Sequence, residues 1–248
     1  MSLNLILPFL STAIMAGFTI WVLQKYAIRR KPHFLFWGLG LAMFGTGSFA
    51  EAFLALNWNR WVFFSWYLFG AALNAGWIGH GTVYLLFRKR WVHVITAILV
   101  VGSLVATVMM LQIMPDLNEA AFTPGVAISE QYREIMPAIS DGATVRLTTP
   151  FFNIYGLVTL VGGALWSSFL FWRKRVMPNR VVGNVLIAAG ALSIGFASSL
   201  TRFGIGSYLY VGELVAAVLM FAGFVIAGRP APSEEAAPLP VVGQAGAG

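Results

Sequence analysis

Polar positions along this chain gather into short clusters, and between the clusters apolar residues run on for about 20 residues, the length an α-helix needs to cross a bilayer. Seven such stretches can be marked, from Leu3 to Leu23, Phe34 to Leu56, Val62 to Phe87, Val94 to Ile113, Pro150 to Trp172, Val181 to Thr201 and Tyr208 to Gly228. The expected fold is therefore all-α, a polytopic membrane bundle of seven transmembrane helices. One domain would cover residues 1–228, with an external loop over 114–149. The tail, 229–248, is rich in Pro, Ala and Gly and is expected to be disordered.

The third stretch is the expected centre of the bundle. Its middle carries Gly70, Ala71, Ala72, Asn74, Ala75, Gly76, Gly79, His80 and Gly81. Small residues let helix backbones approach closely where lipid supplies no hydrophobic drive. Asn74 and His80, together with Tyr84, should form a buried polar core facing protein rather than hydrocarbon.

Charge then sets the orientation. Twelve cations fall on one side: Lys25, Arg29, Arg30, Lys31, Arg88, Lys89, Arg90, Arg173, Lys174, Arg175, Arg180 and Arg229. Arg60, Arg133, Arg146 and Arg202 fall on the other. The positive-inside bias puts the N-terminus outside and the C-terminus in the cytoplasm, in accord with an odd number of spans. Trp58, Trp61, Trp66, Trp91, Trp166 and Trp172 lie near the expected helix ends, where interfacial aromatic residues belong.

Composition agrees with this reading. Of 248 residues, 58% are apolar and 10% charged, and the mean hydropathy of +0.78 lies outside the globular range. The net charge of +7 resides at the flanks of apolar stretches, so it signals topology and not a nucleic-acid partner. With no cysteine, disulfides, thiolate metal sites and cysteine nucleophiles are excluded. The N-terminus lacks a basic leading region, and its apolar stretch exceeds a signal-peptide core, so it is expected to stay as the first helix. In the 114–149 loop, Pro115, Pro124 and Pro137 break the chain, and a short surface helix is expected from Ser129 to Met136. A faint echo relates Tyr67 and Leu68 to Tyr208 and Leu209, as a parallel repeat of three helices or a chance likeness between apolar helices would, and its shortness favours chance.

Ionisable groups inside apolar stretches are the candidates for chemistry, because placing one at a helix centre costs roughly 2.5–3.5 kcal/mol even on insertion scales. Glu51 and Glu213 fall at similar depth near the outer side. With Arg202, Asn153 and Tyr155 they could line a ligand or proton pocket; two close carboxylates would bind a proton, and Arg202 would oppose that. The structural alternative pairs Arg202 with Glu213 and leaves Glu51 hydrogen-bonded to its neighbours. Trp77, His80 and Tyr84 share one helix face by their spacing, so His80 could relay protons or simply join two helices. No three-ligand metal set stands at one depth, and no cofactor is expected. All four lysines flank cytoplasmic ends, which removes a retinal Schiff base; no phosphate loop, HExxH or Gly-x-Ser-x-Gly pattern occurs.

The segments WYLFGAALNAGWIGHGTVYLLF, NIYGLVTLVGGALWSSFLFWRKR and GNVLIAAGALSIGF resemble a family of uncharacterised bacterial seven-helix membrane proteins. They are more loosely similar to the seven-helix sensor regions of bacterial histidine kinases. The resemblance implies a multi-pass protein of the bacterial inner membrane and carries over no functional residue. One departure is that a kinase sensor region is followed by a signalling domain, which is not expected here. The function expected is a sensory, ligand-binding or accessory subunit with an outward-facing polar pocket, its partners being the bilayer and another membrane or signalling protein. The alternative is a small proton-coupled carrier or channel. Catalytic residues are not found, and oligomeric state is not legible.

Overall fold

The computed structural model describes residues 3–87, 89–200 and 208–229, and among these the regular structure is entirely helical. Among the described residues, five helices are long and apolar enough to cross a membrane: α1 (Leu3–Arg29), α5 (Trp91–Ile113), α7 (Val145–Arg173), α8 (Pro178–Leu200) and α9 (Tyr208–Ala227). Another 23-residue helix, α2 (Pro32–Leu54), follows α1 directly. The third apolar stretch becomes α3 (Arg60–Ser65), a π-helical segment (Trp66–Leu73) and α4 (Asn74–Leu86), running end to end. Arg202 and nearly all of the 229–248 tail lie outside the described residues.

Several helices extend past the apolar stretches from which they were expected. Helix α1 continues to Arg29, and α7 starts at Val145 and carries Pro150 inside it. Hydrophobicity marks where lipid would begin, whereas backbone hydrogen bonding continues into the polar boundary. Two connections then turn on left-handed residues before a helix that opens with proline. Arg30 (φ 51°) precedes Pro32, and Arg175 and Met177 (φ 53° and 51°) precede Pro178. Proline suits a first helical position, since its missing N–H is not needed there.

Glycines set how closely the central helices pack. A side chain at Gly47 of α2 would run into the backbone of Gly70 in the π segment, and one at Gly156 of α7 into Ala75 of α4. Gly183 of α8 meets Gly223 of α9 in the same way. Helix α4 thus lies between α2 and α7, while α5 stands at the periphery with most of its surface exposed. At one end of the bundle the Lys25 ammonium approaches Gly228, so the C-terminal ends of α1 and α9 are neighbours.

At the opposite end, residues 114–144 fold into a cap. Its helix α6 (Ile128–Ile135) buries Ile128, Gln131 and Ile135. Gln131 fastens the cap internally, accepting from Thr123 N at 2.8 Å and donating to Val126 O at 2.9 Å. Gly125, at φ 82°, donates to Ala55 O at 3.0 Å and ties the cap to the end of α2. The Arg60 guanidinium adds an ion pair to Glu119, with Nε 3.0 Å from Oε1.

Candidate functional site

The cap covers two carboxyl groups. Glu51 stands three residues from the end of α2 and Glu213 five residues into α9, and their side chains lie against one another, 3% and 7% exposed. Glu51 Oε1 accepts a hydrogen bond of 2.9 Å from Trp66 Nε1, at the first residue of the π segment. The second oxygen of each carboxyl, Glu51 Oε2 and Glu213 Oε2, is buried, and what faces it is the other carboxyl and the Ser48 hydroxyl. Trp66 in turn packs on Tyr132 of the cap helix, with ring centroids 5.7 Å apart. The carboxyl pair is thus buried beneath the cap.

Beside it stand two buried hydroxyls, Ser48 Oγ and Tyr210 Oη. Ser48 Oγ lies against the Glu213 carboxyl without completing a hydrogen bond, and Tyr210 lies between the two carboxyls and the backbone at Ile128 of the cap. Neither hydroxyl was among the expected site residues. The spacing was a usable signal: Ser48 and Glu51 are three apart on α2, as are Tyr210 and Glu213 on α9, so each pair shares a face.

The structure does not bring Asn153 and Tyr155 to this site. Because α7 begins at Val145, Tyr155 lies ten residues along it, roughly 15 Å from its start at 1.5 Å per residue. Asn153 Nδ2 donates to Ala71 O at 3.0 Å, and Asn74 Nδ2 donates to Gly70 O. Both carbonyls belong to the π segment. A return from i→i+5 to i→i+4 bonding passes over a carbonyl, and in lipid that carbonyl needs another donor. The two asparagines supply donors at that place.

Tyr155 instead meets His80 in a second polar group, deeper in the bundle. His80 is fully buried; Nδ1 lies 2.7 Å from Tyr155 Oη and Nε2 2.8 Å from Thr96 Oγ1. Thr96 Oγ1 lies 2.9 Å from Val92 O and 3.0 Å from Tyr84 Oη, which reaches His93 Nδ1 at 3.1 Å. Thr96 has one proton to give. With it on Val92 O, Thr96 accepts from His80 Nε2, and His80 Nδ1 accepts from Tyr155, which describes a neutral imidazole. Trp77, His80 and Tyr84 all pack on Phe36 of α2, at 5.6, 4.8 and 4.9 Å. A connected row of polar groups thus leads from exposed His93 into the core.

At the surface of the cap, Arg60 holds the Glu119 carboxyl below its ordinary range, chiefly through the hydrogen bonds it donates. Among the described residues no cluster of His, Cys, Asp and Glu is suited to a metal ion. No family model matches the chain, and no curated protein or solved structure does either.

Proposed function

We propose that the chain is a seven-span protein of a bacterial inner membrane, N-terminus outside, acting as a sensory, ligand-binding or accessory subunit centred on the Glu51–Glu213 pair. The pair itself carries this reading. Two buried carboxyls from separate helices are costly to hold in lipid, and a protein retains them where they bind something. The cap above them is anchored to α2 by Gly125 and to α3 by Arg60, so a change at the pair can reach the outer surface.

Further observations support the topology. Beyond the five membrane-length apolar helices, α2 has 23 residues, and α3, the π segment and α4 add 6, 8 and 13 to make 27. The cap and the α2–α3 corner share one end of the bundle, while the C-terminal ends of α1 and α9 share the other. The bacterial membrane follows from the family resemblance. The test is partner binding and in-cell phenotype in Glu51→Gln and Glu213→Gln variants. Loss in both supports the reading, and retention of both properties removes it.

The row from His93 to Tyr155 favours a second reading, a proton-coupled carrier or channel. Flux into liposomes under an imposed pH gradient separates the two, since a subunit or sensor produces none.

A further inference from the structure

We infer that the corner between α7 and α8 binds an anionic glycerophospholipid, its phosphate held by Arg173 and Arg175 and its acyl chains laid along the aromatic side of α7. The site rests on the membrane placement read above and not on the Glu51–Glu213 pair. A cavity of about 560 Å³ opens at this corner, lined by Phe171, Trp172, Arg173 and Arg175 from the end of α7 and its turn, and by Pro178 and Val182 from α8. The Arg180 guanidinium of α8 reaches back over the Phe171 ring, 5.4 Å from its centroid, and puts a third positive charge beside the cavity.

Among the described residues no carboxylate pairs with these arginines. Every described Asp and Glu belongs to the cap, to the last turn of α2 or to the first two turns of α9, and the ion pair Arg60–Glu119 lies at the cap too. Helix α7 starts beside the cap and runs 29 residues, roughly 43 Å at 1.5 Å per residue, before it reaches the corner. The turn also keeps an arginine where glycine is usual. Arg175 has φ 53°, and the bonds from Arg175 N to Trp172 O (3.0 Å) and from Val176 N to Phe171 O (3.1 Å) close the helix in the pattern whose left-handed position most often carries glycine.

The neighbouring surface selects a lipid over a free anion. Trp166, Phe169 and Trp172 are exposed and follow one another along α7, with successive ring centroids 6.1 and 6.3 Å apart. They form an apolar strip leading away from the cavity, where Trp172 is part of the wall. Guanidinium groups take phosphate oxygens in pairs, and basic pockets between membrane helices take anionic head groups. A molecule with phosphate at one end and hydrocarbon at the other matches both parts. Inorganic phosphate matches only the first.

The experiment titrates the purified full chain in detergent with phosphatidylglycerol, phosphatidylcholine or inorganic phosphate, reading bound lipid by native mass spectrometry and Tm by thermal unfolding. Phosphatidylglycerol should fill a first site about tenfold more tightly than phosphatidylcholine and raise Tm, and inorganic phosphate should not displace it. Arg173→Gln combined with Arg175→Gly should weaken that site by roughly tenfold or more, since each cation near a lipid phosphate is worth about fivefold. Glycine suits the left-handed position, so Tm without lipid should stay near wild type, which separates lost binding from lost folding. Lys89→Gln combined with Arg90→Gln removes equal charge from another basic connection and should leave the site near wild type. Absence of a preference for phosphatidylglycerol overturns the inference. So does equal loss in the two double variants, which is general attraction of charge, and so does displacement by inorganic phosphate, which is an anion site without a lipid. A chain that stays in solution without detergent removes the membrane placement and the lipid site together, whereas a detergent-dependent chain without the preference loses the lipid site alone. Glu51→Gln and Glu213→Gln should bind the lipid as wild type does, so the carboxyl-pair reading stands or falls separately.

Discussion

Trp66 donates its indole proton to Glu51 across 2.9 Å, joining the first residue of a π-helical segment to a carboxyl on the neighbouring helix. The contact links the irregular part of the backbone to the buried carboxyl. Trp66→Phe keeps the ring against Tyr132 but removes the donor. An unpaired buried acceptor costs about 1–3 kcal/mol, so Tm in detergent should fall, while Trp66→Leu should fall further by losing the packing as well.

The π segment makes a separate demand. Asn153→Leu leaves the Ala71 carbonyl without its side-chain donor. Interhelical hydrogen bonds in membranes average about 0.6 kcal/mol and reach about 1.7, so a modest loss of stability is expected. Hydrogen exchange should rise over residues 66–74 in Asn153→Leu and stay unchanged in Asn153→Gln if the longer amide still reaches the carbonyl. Uniform exchange in the Leu variant would falsify the donor role.

Close approach at Gly47 gives a steeper effect. Any side chain there meets the Gly70 backbone, which has no flexible end to yield. Overpacking of this kind costs about 1–3 kcal/mol and can cost more. Gly47→Val should lower folded yield and Tm sharply, whereas Gly17→Ala, where nothing lies within 4 Å, should leave both near wild type.

The cap should loosen in acid. Arg60 holds the Glu119 carboxyl below its ordinary value, so the pair's contribution is fully present above the unfolded value of about 4.3 and is lost as pH falls through the lowered folded value. Limited proteolysis within 114–144 should quicken below about pH 4. Arg60→Gln should show the faster cleavage already at pH 7, and the two proteins should converge in acid. Both partners are well exposed, so high salt should narrow the difference too.

At His80, removing the imidazole breaks a group bonded on both sides. His80→Phe leaves Tyr155 and Thr96 without their shared partner. The expected loss is about 1–3 kcal/mol, with His80→Gln recovering part of it. A Tm in His80→Phe equal to wild type would contradict the assigned hydrogen bonds.

Much of the architecture was legible in the sequence. Long charge-free runs dictate helices of membrane length, because a chain in hydrocarbon must satisfy its backbone within itself. Glycine and alanine density marked the third stretch as the crowded one, and the 3–4 spacing put Trp77, His80 and Tyr84 on one face, where the structure packs them on Phe36. Hydrophobicity could not show where helices end, since α7 opens at Val145 with Pro150 inside it, and that offset put Tyr155 at the wrong depth. Nor could it show the π segment, whose asparagine donors come partly from a helix about 80 residues away.

What the sequence alone determined is therefore local: which segments are helical, which are apolar, and which polar residues share a face. Only the tertiary structure decided that Ser48 and Tyr210 stand beside the two carboxyls, that Tyr155 belongs to His80, and that the 114–144 segment roofs the pair. The reason is rotational. Periodicity sets the faces of one helix, but how each helix is turned toward its neighbours depends on contacts such as Gly47 with Gly70 and Gly156 with Ala75, which join residues far apart in the chain.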